Sequence, residues 1–197
     1  MLFVIQDHLF LILLWLVAIK FCQITIYPYL KSTFGDNLAY GVAYPCGMLF
    51  YGLITWYFGL IDLPIQWALL PFGIAGIYAL SKKEYVINDI CKNLKWDGIF
   101  ISIFFFVLLF RYKLDRMAIV GSADGYITEQ YMDAAFLGSI MNNPGITPMD
   151  PWFAHGTLEI YYYLGHWIFG AFGVLTGGGT LSFTISLYLP SRLYPES

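Results

Sequence analysis

Apolar residues run in long stretches along this chain, and short polar clusters divide them. A helix crossing the hydrocarbon core of a bilayer needs about 20 mainly apolar residues. The first such run covers residues 9–27 and holds one charge, Lys20, which the pattern places toward one end with its ammonium snorkelling to the interface. Pro28, Lys31 and Asp36 mark the turn that follows. Residues 38–60 form the second run, with Pro45 as a tolerated kink and Trp56, Tyr57 and Phe58 as an interfacial belt. Asp62 and Pro64 make a tight connection to a third run, 65–80, where Pro71, Gly73 and Gly76 suit close helix approach. Residues 81–97 are polar, carry Lys82, Lys83, Lys92 and Lys95, and read as a loop with at most a short surface helix. A fourth run, 96–112, is dense in Phe and Ile. The segment 113–160 is the longest polar stretch, and a fifth run follows over 161–180.

The prediction is an all-α, polytopic transmembrane bundle of about five spans in one integral membrane domain, with a large extracytoplasmic loop containing a short helix. Composition agrees. The chain is 59% hydrophobic and 12% charged, about half the charge of soluble domains. That is too little to coat a soluble globule. The net charge of −3 supplies no basic field for nucleic acid, so the bilayer is the expected partner. Cys22, Cys46 and Cys91 match neither a disulfide framework nor a metal motif and read as free thiols. Residues Met1–His8 contain no Lys or Arg, so the first run reads as a retained span and not as a cleaved signal. Lys31, Lys82, Lys83, Lys92 and Lys95 outweigh Arg111, Lys113 and Arg116. By the positive-inside rule the 81–97 segment is cytoplasmic, and the long loop and the N-terminus are outside, in a multi-pass protein of the cell membrane.

The long loop carries the candidate chemistry. Thr128–Met141 has helix-favouring composition and stops at Asn142-Asn143-Pro144. Glu129 and Asp133 lie four apart on one helix face, and Phe136 and Ile140 continue it. Carboxylates in line with an apolar stripe call for a cation, a metal or a substrate hydroxyl; an ordinary charged surface turn is the plainer alternative. Pro144, Pro148 and Pro151 stiffen the next loop, in which Asp150 either caps a turn or lines a site, and Trp152 and Phe153 offer a surface anchor. Glu159, Tyr163 and His166 fall on one helical face, a set suited to a sugar or phosphate, or else the edge of an interfacial tyrosine belt. His155 and His166 lack zinc-type spacing. No Gly-rich phosphate loop, GxSxG or CxxC is present, and apart from Lys20 no charge falls clearly within a span, so the pattern shows no ion pathway.

Three blocks in this order, Glu129-Gln-Tyr-Met-Asp133, Pro148-Met-Asp150-Pro-Trp152 and Tyr161-Tyr162-Tyr163-Leu-Gly165-His166, resemble the Chlor_Arch_YYY domain family of archaeal and Chloroflexi polytopic membrane proteins. The earlier segment Leu49-Phe-Tyr-Gly-Leu-Ile-Thr-Trp56 also looks like that family's N-terminal region. The family's arrangement is similar to GT-C glycosyltransferases, which hold an acidic pair in a large outer loop and use polyprenyl-phosphate sugar donors. The resemblance implies Glu129 and Asp133 as the catalytic pair, one a general base and the other positioning acceptor or a divalent metal. It implies that Asp150, His155, Glu159, Tyr161, Tyr162, Tyr163 and His166 bind the substrate. Three spans before the loop's own leading helix depart from the simplest GT-C layout. Family members are longer, so the chain is expected to be the N-terminal part of a larger protein, inactive alone. The alternative is a non-catalytic polytopic protein with an assembly or envelope role.

The sidedness is directly testable. In a chain whose own cysteines are replaced by serine, Ser122→Cys should react with an impermeant maleimide in intact cells and Asn88→Cys should not. The reverse pattern would overturn the orientation.

Overall fold

The computed structural model describes residues 2–82, 85–120, 135–153, 155–158 and 163–176, and most of them are helical. Helix α1, Leu2–Leu60, is two arms joined at Gly35, whose φ of 72° and ψ of 170° leave the helix. A Cβ there would meet nothing within 4 Å, so the backbone angle and not crowding calls for glycine. The turn therefore sits at Gly35. That is within the stretch marked by Pro28, Lys31 and Asp36, although Pro28 itself lies inside the first arm, as Pro45 lies inside the second.

The arms fold back as a hairpin. A Cβ on Gly47 would lie 2.6 Å from the Cys22 carbonyl oxygen. Gln23 Nε2 donates to the Tyr40 carbonyl at 3.2 Å. Tyr27 and Tyr40 rings meet edge to face at 5.3 Å. Small residues at such crossings let helices approach where water provides no driving force.

A turn at 61–64 follows, with Leu63 N–H donating to Phe58 O at 2.9 Å and Asp62 at a φ of 56°. The short 3-10 segment Ile65–Ala68 leads into α2, Leu69–Lys82. α2 runs alongside the first arm. Phe21 touches Phe72, and a Cβ on Gly76 would lie 2.6 Å from Thr25 Oγ1.

Helix α3, Tyr85–Val120, corrects the sequence reading. Most of the stretch expected to be a polar loop is the first third of one long helix. Asp89, Asn93 and Asp97 recur every fourth residue, which puts them on one face. Asp89 and Asp97 are both buried. Lys20, expected to snorkel, lies well inside the first arm and bonds Asp97 Oδ2 at 2.7 Å. Lys31 pairs with Asp89. Long-range pairing is invisible to a linear pattern, so these charges read as loop residues.

A helical segment at 135–142 (α4) and helix α5, Tyr163–Thr176, complete the described fold. α5 packs on the second arm. Trp167 Nε1 donates to Thr55 Oγ1 at 3.1 Å, and Phe172 meets Tyr51 at 5.2 Å. The core is aromatic: Tyr27, Tyr40, Tyr51, Trp167 and Phe172 are fully buried. The described residues form no β-strand beyond an isolated bridge, Met149 to Thr157. Among them, two helices, Leu9–Gly35 and Leu38–Leu60, are long and apolar enough to cross a membrane, with a shorter apolar helix over Ile65–Ser81. The expected count of five spans goes beyond those two.

The hairpin crossing yields a graded prediction. Gly47→Ala meets immovable backbone and should cost about 1–3 kcal/mol. Gly73→Ala, with Phe21 no closer than 3.7 Å, should be near neutral. Thermal unfolding in detergent would measure both, and equal effects would contradict the packing.

Candidate functional site

The described residues from α4 to α5 form a small lobe at the Leu60 end of the second arm. α4 ends at 142, as its Asn-Asn-Pro stop predicts. Asn143 N–H donates to Ser139 O at 3.0 Å, and Ser139 Oγ to Met149 O at 2.6 Å, so the helix end ties down the loop beyond it. Asp150 N–H reaches Gly156 O at 3.0 Å, and Leu158 N–H reaches Pro148 O at 2.8 Å, closing residues 148–158 into a tight turn. Buried Ile140 packs where a Cβ on Gly170 would come within 2.7 Å. Ile146 reaches toward Gly59. The lobe is thus seated on both α1 and α5.

Within this lobe the candidate residues have distinct places. The Asp150 carboxylate accepts the Trp152 N–H at 2.8 Å, the turn-capping alternative raised by the sequence. This is the usual local bond of an aspartate in a turn. His155 is exposed and adopts a left-handed φ of 63° at the turn apex. Trp152 and Phe153 beside it are 62% and 69% exposed, an apolar rim on the turn. Tyr163 opens α5, and its hydroxyl accepts the Trp56 indole N–H at 2.8 Å. His166, one turn on, meets the Phe136 ring edge to face at 5.6 Å. Tyr163 and His166 thus lie in the first turns of α5, and Asp150 and His155 lie on the 148–158 turn. Glu129, Asp133, Glu159, Tyr161 and Tyr162 lie outside the described residues. Phe136 and Ile140, expected to share a face with Glu129 and Asp133, both turn toward α5. Among the described residues no group of three or more His, Cys, Asp or Glu side chains could hold a metal ion.

The strongest polar constellation is elsewhere. Lys20 Nζ donates to Asp97 Oδ1 at 2.8 Å, to Oδ2 at 2.7 Å and to Tyr40 Oη at 2.6 Å. Tyr40 Oη donates to Asp97 Oδ2 at 2.9 Å, and Tyr44 Oη to Oδ1 at 2.5 Å. Lys20 also lies 4.8 Å from the Tyr40 ring centroid. Further along the same face, Tyr27 Oη donates to Asp89 Oδ2 at 3.0 Å beside Lys31. The sequence reading missed this cluster. The signal was present in the four-residue recurrence of Asp89, Asn93 and Asp97 opposite a lysine in an apolar run.

Residues 48–189 match the family described as "Uncharacterized membrane protein (DUF2298)". The chain belongs to this family. The DUF2298 match runs from the second arm through α2, α3, the lobe and α5, and contains every candidate site residue. It supports a membrane protein, and it does not carry the Chlor_Arch_YYY name drawn from the motifs. Lys20 and Lys31 precede the matched region, whereas Asp89 and Asp97 lie inside it. No curated protein and no solved structure matches the chain.

The lobe's attachment to the hairpin rests partly on the indole–phenol bond. Trp56→Phe and Tyr163→Phe should each destabilise by about 0.5–1.5 kcal/mol, and the double variant by little more than either alone. Fully additive losses in a thermal-unfolding cycle would contradict the bond.

Proposed function

We propose that this DUF2298 protein is a multi-pass cell-membrane glycosyltransferase-like protein that transfers a sugar from a polyprenyl-phosphate-linked donor at the outer face. The observation that carries the reading is the order of three motif blocks in one segment: Glu129 and Asp133, then Pro148–Trp152, then Tyr161–His166. In this reading Glu129 or Asp133 takes the proton from an acceptor hydroxyl. The freed oxygen attacks the anomeric carbon, and the polyprenyl phosphate leaves with the bonding pair. The other carboxylate orients the acceptor or a divalent metal. Asp150, His155, Glu159, Tyr161, Tyr162, Tyr163 and His166 contact the sugar and phosphate. The seating of the lobe on both α1 and α5, through Ile146 at Gly59 and Ile140 at Gly170, is compatible with such a set. The exposed Trp152 and Phe153 support a position at the lipid interface, where such a donor presents its headgroup.

A second reading, a non-catalytic assembly or envelope protein, draws on a different observation. Asp150 and Tyr163 already make local structural bonds, to Trp152 and Trp56. Turnover separates the two. Membranes containing the protein as encoded, given polyprenyl-phosphate sugars, should transfer sugar to endogenous acceptors. Glu129→Gln and Asp133→Asn should each slow transfer by about 10²–10⁴-fold, the usual worth of a positioned acid or base, without loss of folded protein. Transfer that is undiminished in both variants, or absent from the native protein, would favour the second reading.

A further inference from the structure

Outside the lobe, the cluster that no catalytic role uses is the pair of lysine–aspartate contacts between the first arm of α1 and α3. Their spacing is informative. Lys20 and Lys31 are eleven residues apart, three helical turns, and Asp97 and Asp89 are eight apart, just over two turns. Lys20 meets Asp97 and Lys31 meets Asp89, so the two helices are antiparallel with the charges matched in order. Each aspartate also accepts from tyrosine: Tyr40 and Tyr44 on Asp97, Tyr27 on Asp89. Tyr40 and Tyr44 belong to the second arm, so the hairpin as a whole forms the receptor.

α3 also needs such a receptor. Its N-terminal third carries Asp89, Lys92, Lys95 and Asp97, and the apolar run after Asp97 is shorter than a bilayer core. Much of that run is bare: Ile99, Ile101, Ile103, Phe106 and Val107 are exposed. Its apolar contacts with the bundle include Ile90 against the core and the Tyr44–Phe100 stack at 4.3 Å, and the polar ones are the two aspartate sets. An aspartate entering lipid alone is strongly disfavoured, and so is an unpartnered lysine.

We propose that Lys20–Asp97 and Lys31–Asp89 form a two-point charge clasp through which the α1 hairpin draws α3 into the membrane and sets its register. The hairpin, apolar enough to insert first, carries the lysines in. α3 follows because its aspartates neutralise them. Buried ion pairs are poor sources of net stability but effective in specifying which helix sits where, and removing one partner is far worse than removing both. The clasp is a folding device and is independent of any sugar-transfer activity.

The sidedness of α3 tests it in the full chain. Asn88→Cys in a Cys91→Ser background, exposed and just ahead of Asp89, reports one side. Ser122→Cys in a Cys91→Ser background reports the other. In the native protein the two should react from opposite sides. Lys20→Asp and Asp97→Lys should each lower the opposite-sided fraction on the order of tenfold, as expected for an uncompensated charge in the bilayer. Lys20→Asp with Asp97→Lys, or Lys20→Met with Asp97→Met, should restore it. The proposal is overturned if both reporters of the native protein lie on one side, if the single variants behave as the native protein, or if neither double variant restores crossing.

Discussion

A charge inside a bilayer must bring its own partner, and Lys20 is the group on which this fold turns. Its ammonium is satisfied by Asp97 and Tyr40, and the carboxylate in turn is satisfied by Tyr40 and Tyr44. Three helical segments distant in sequence are held by that one set of bonds. The Lys31–Asp89–Tyr27 set repeats the chemistry nearer the hairpin turn. Lipid offers no alternative hydrogen-bond partner, so the groups are either together or exposed at high cost.

Around this polar spine the packing is aromatic and close. Tyr27 and Tyr40 meet edge to face, Tyr51 touches both Phe72 and Phe172, and Trp15 lies against Phe172 at 5.4 Å. Such rings fill space between helices whose backbones approach at Gly47 and Gly76. The combination of small residues at crossings and large rings between them substitutes for a hydrophobic drive that lipid does not supply. Hydroxyls on several of these rings then reach the carboxylates. This is why tyrosine and not phenylalanine stands at 27, 40 and 44.

The lobe is built on a different principle. Its backbone bonds to itself across 148–158, and its attachments to the bundle are the Trp56–Tyr163 bond and contacts of Ile140 and Ile146. A site in this region would inherit its geometry from two sources: the stiff turn and the first turn of α5. The DUF2298 match includes both, together with the helix that leads into the loop.

Periodicity and composition were enough for the class of protein, the positions of the two apolar arms, the tight turn at 61–64 and the stop of α4 at 142, because each is a local consequence of which residues tolerate lipid or end a helix. Asp150's capping bond was also legible, since an aspartate two residues before an amide makes it locally. Local rules bracketed the hairpin turn between Pro28 and Asp36 but did not single out its residue, because a membrane helix accommodates Pro28 while Gly35 supplies the positive φ. They also made a loop of residues 81–97. Asp89 and Asp97 become helix-face residues only when Lys31 and Lys20, 58 and 77 positions away, are beside them. A carboxylate's preference for water or interior depends on the charge it faces, and that neighbour is set by tertiary structure alone.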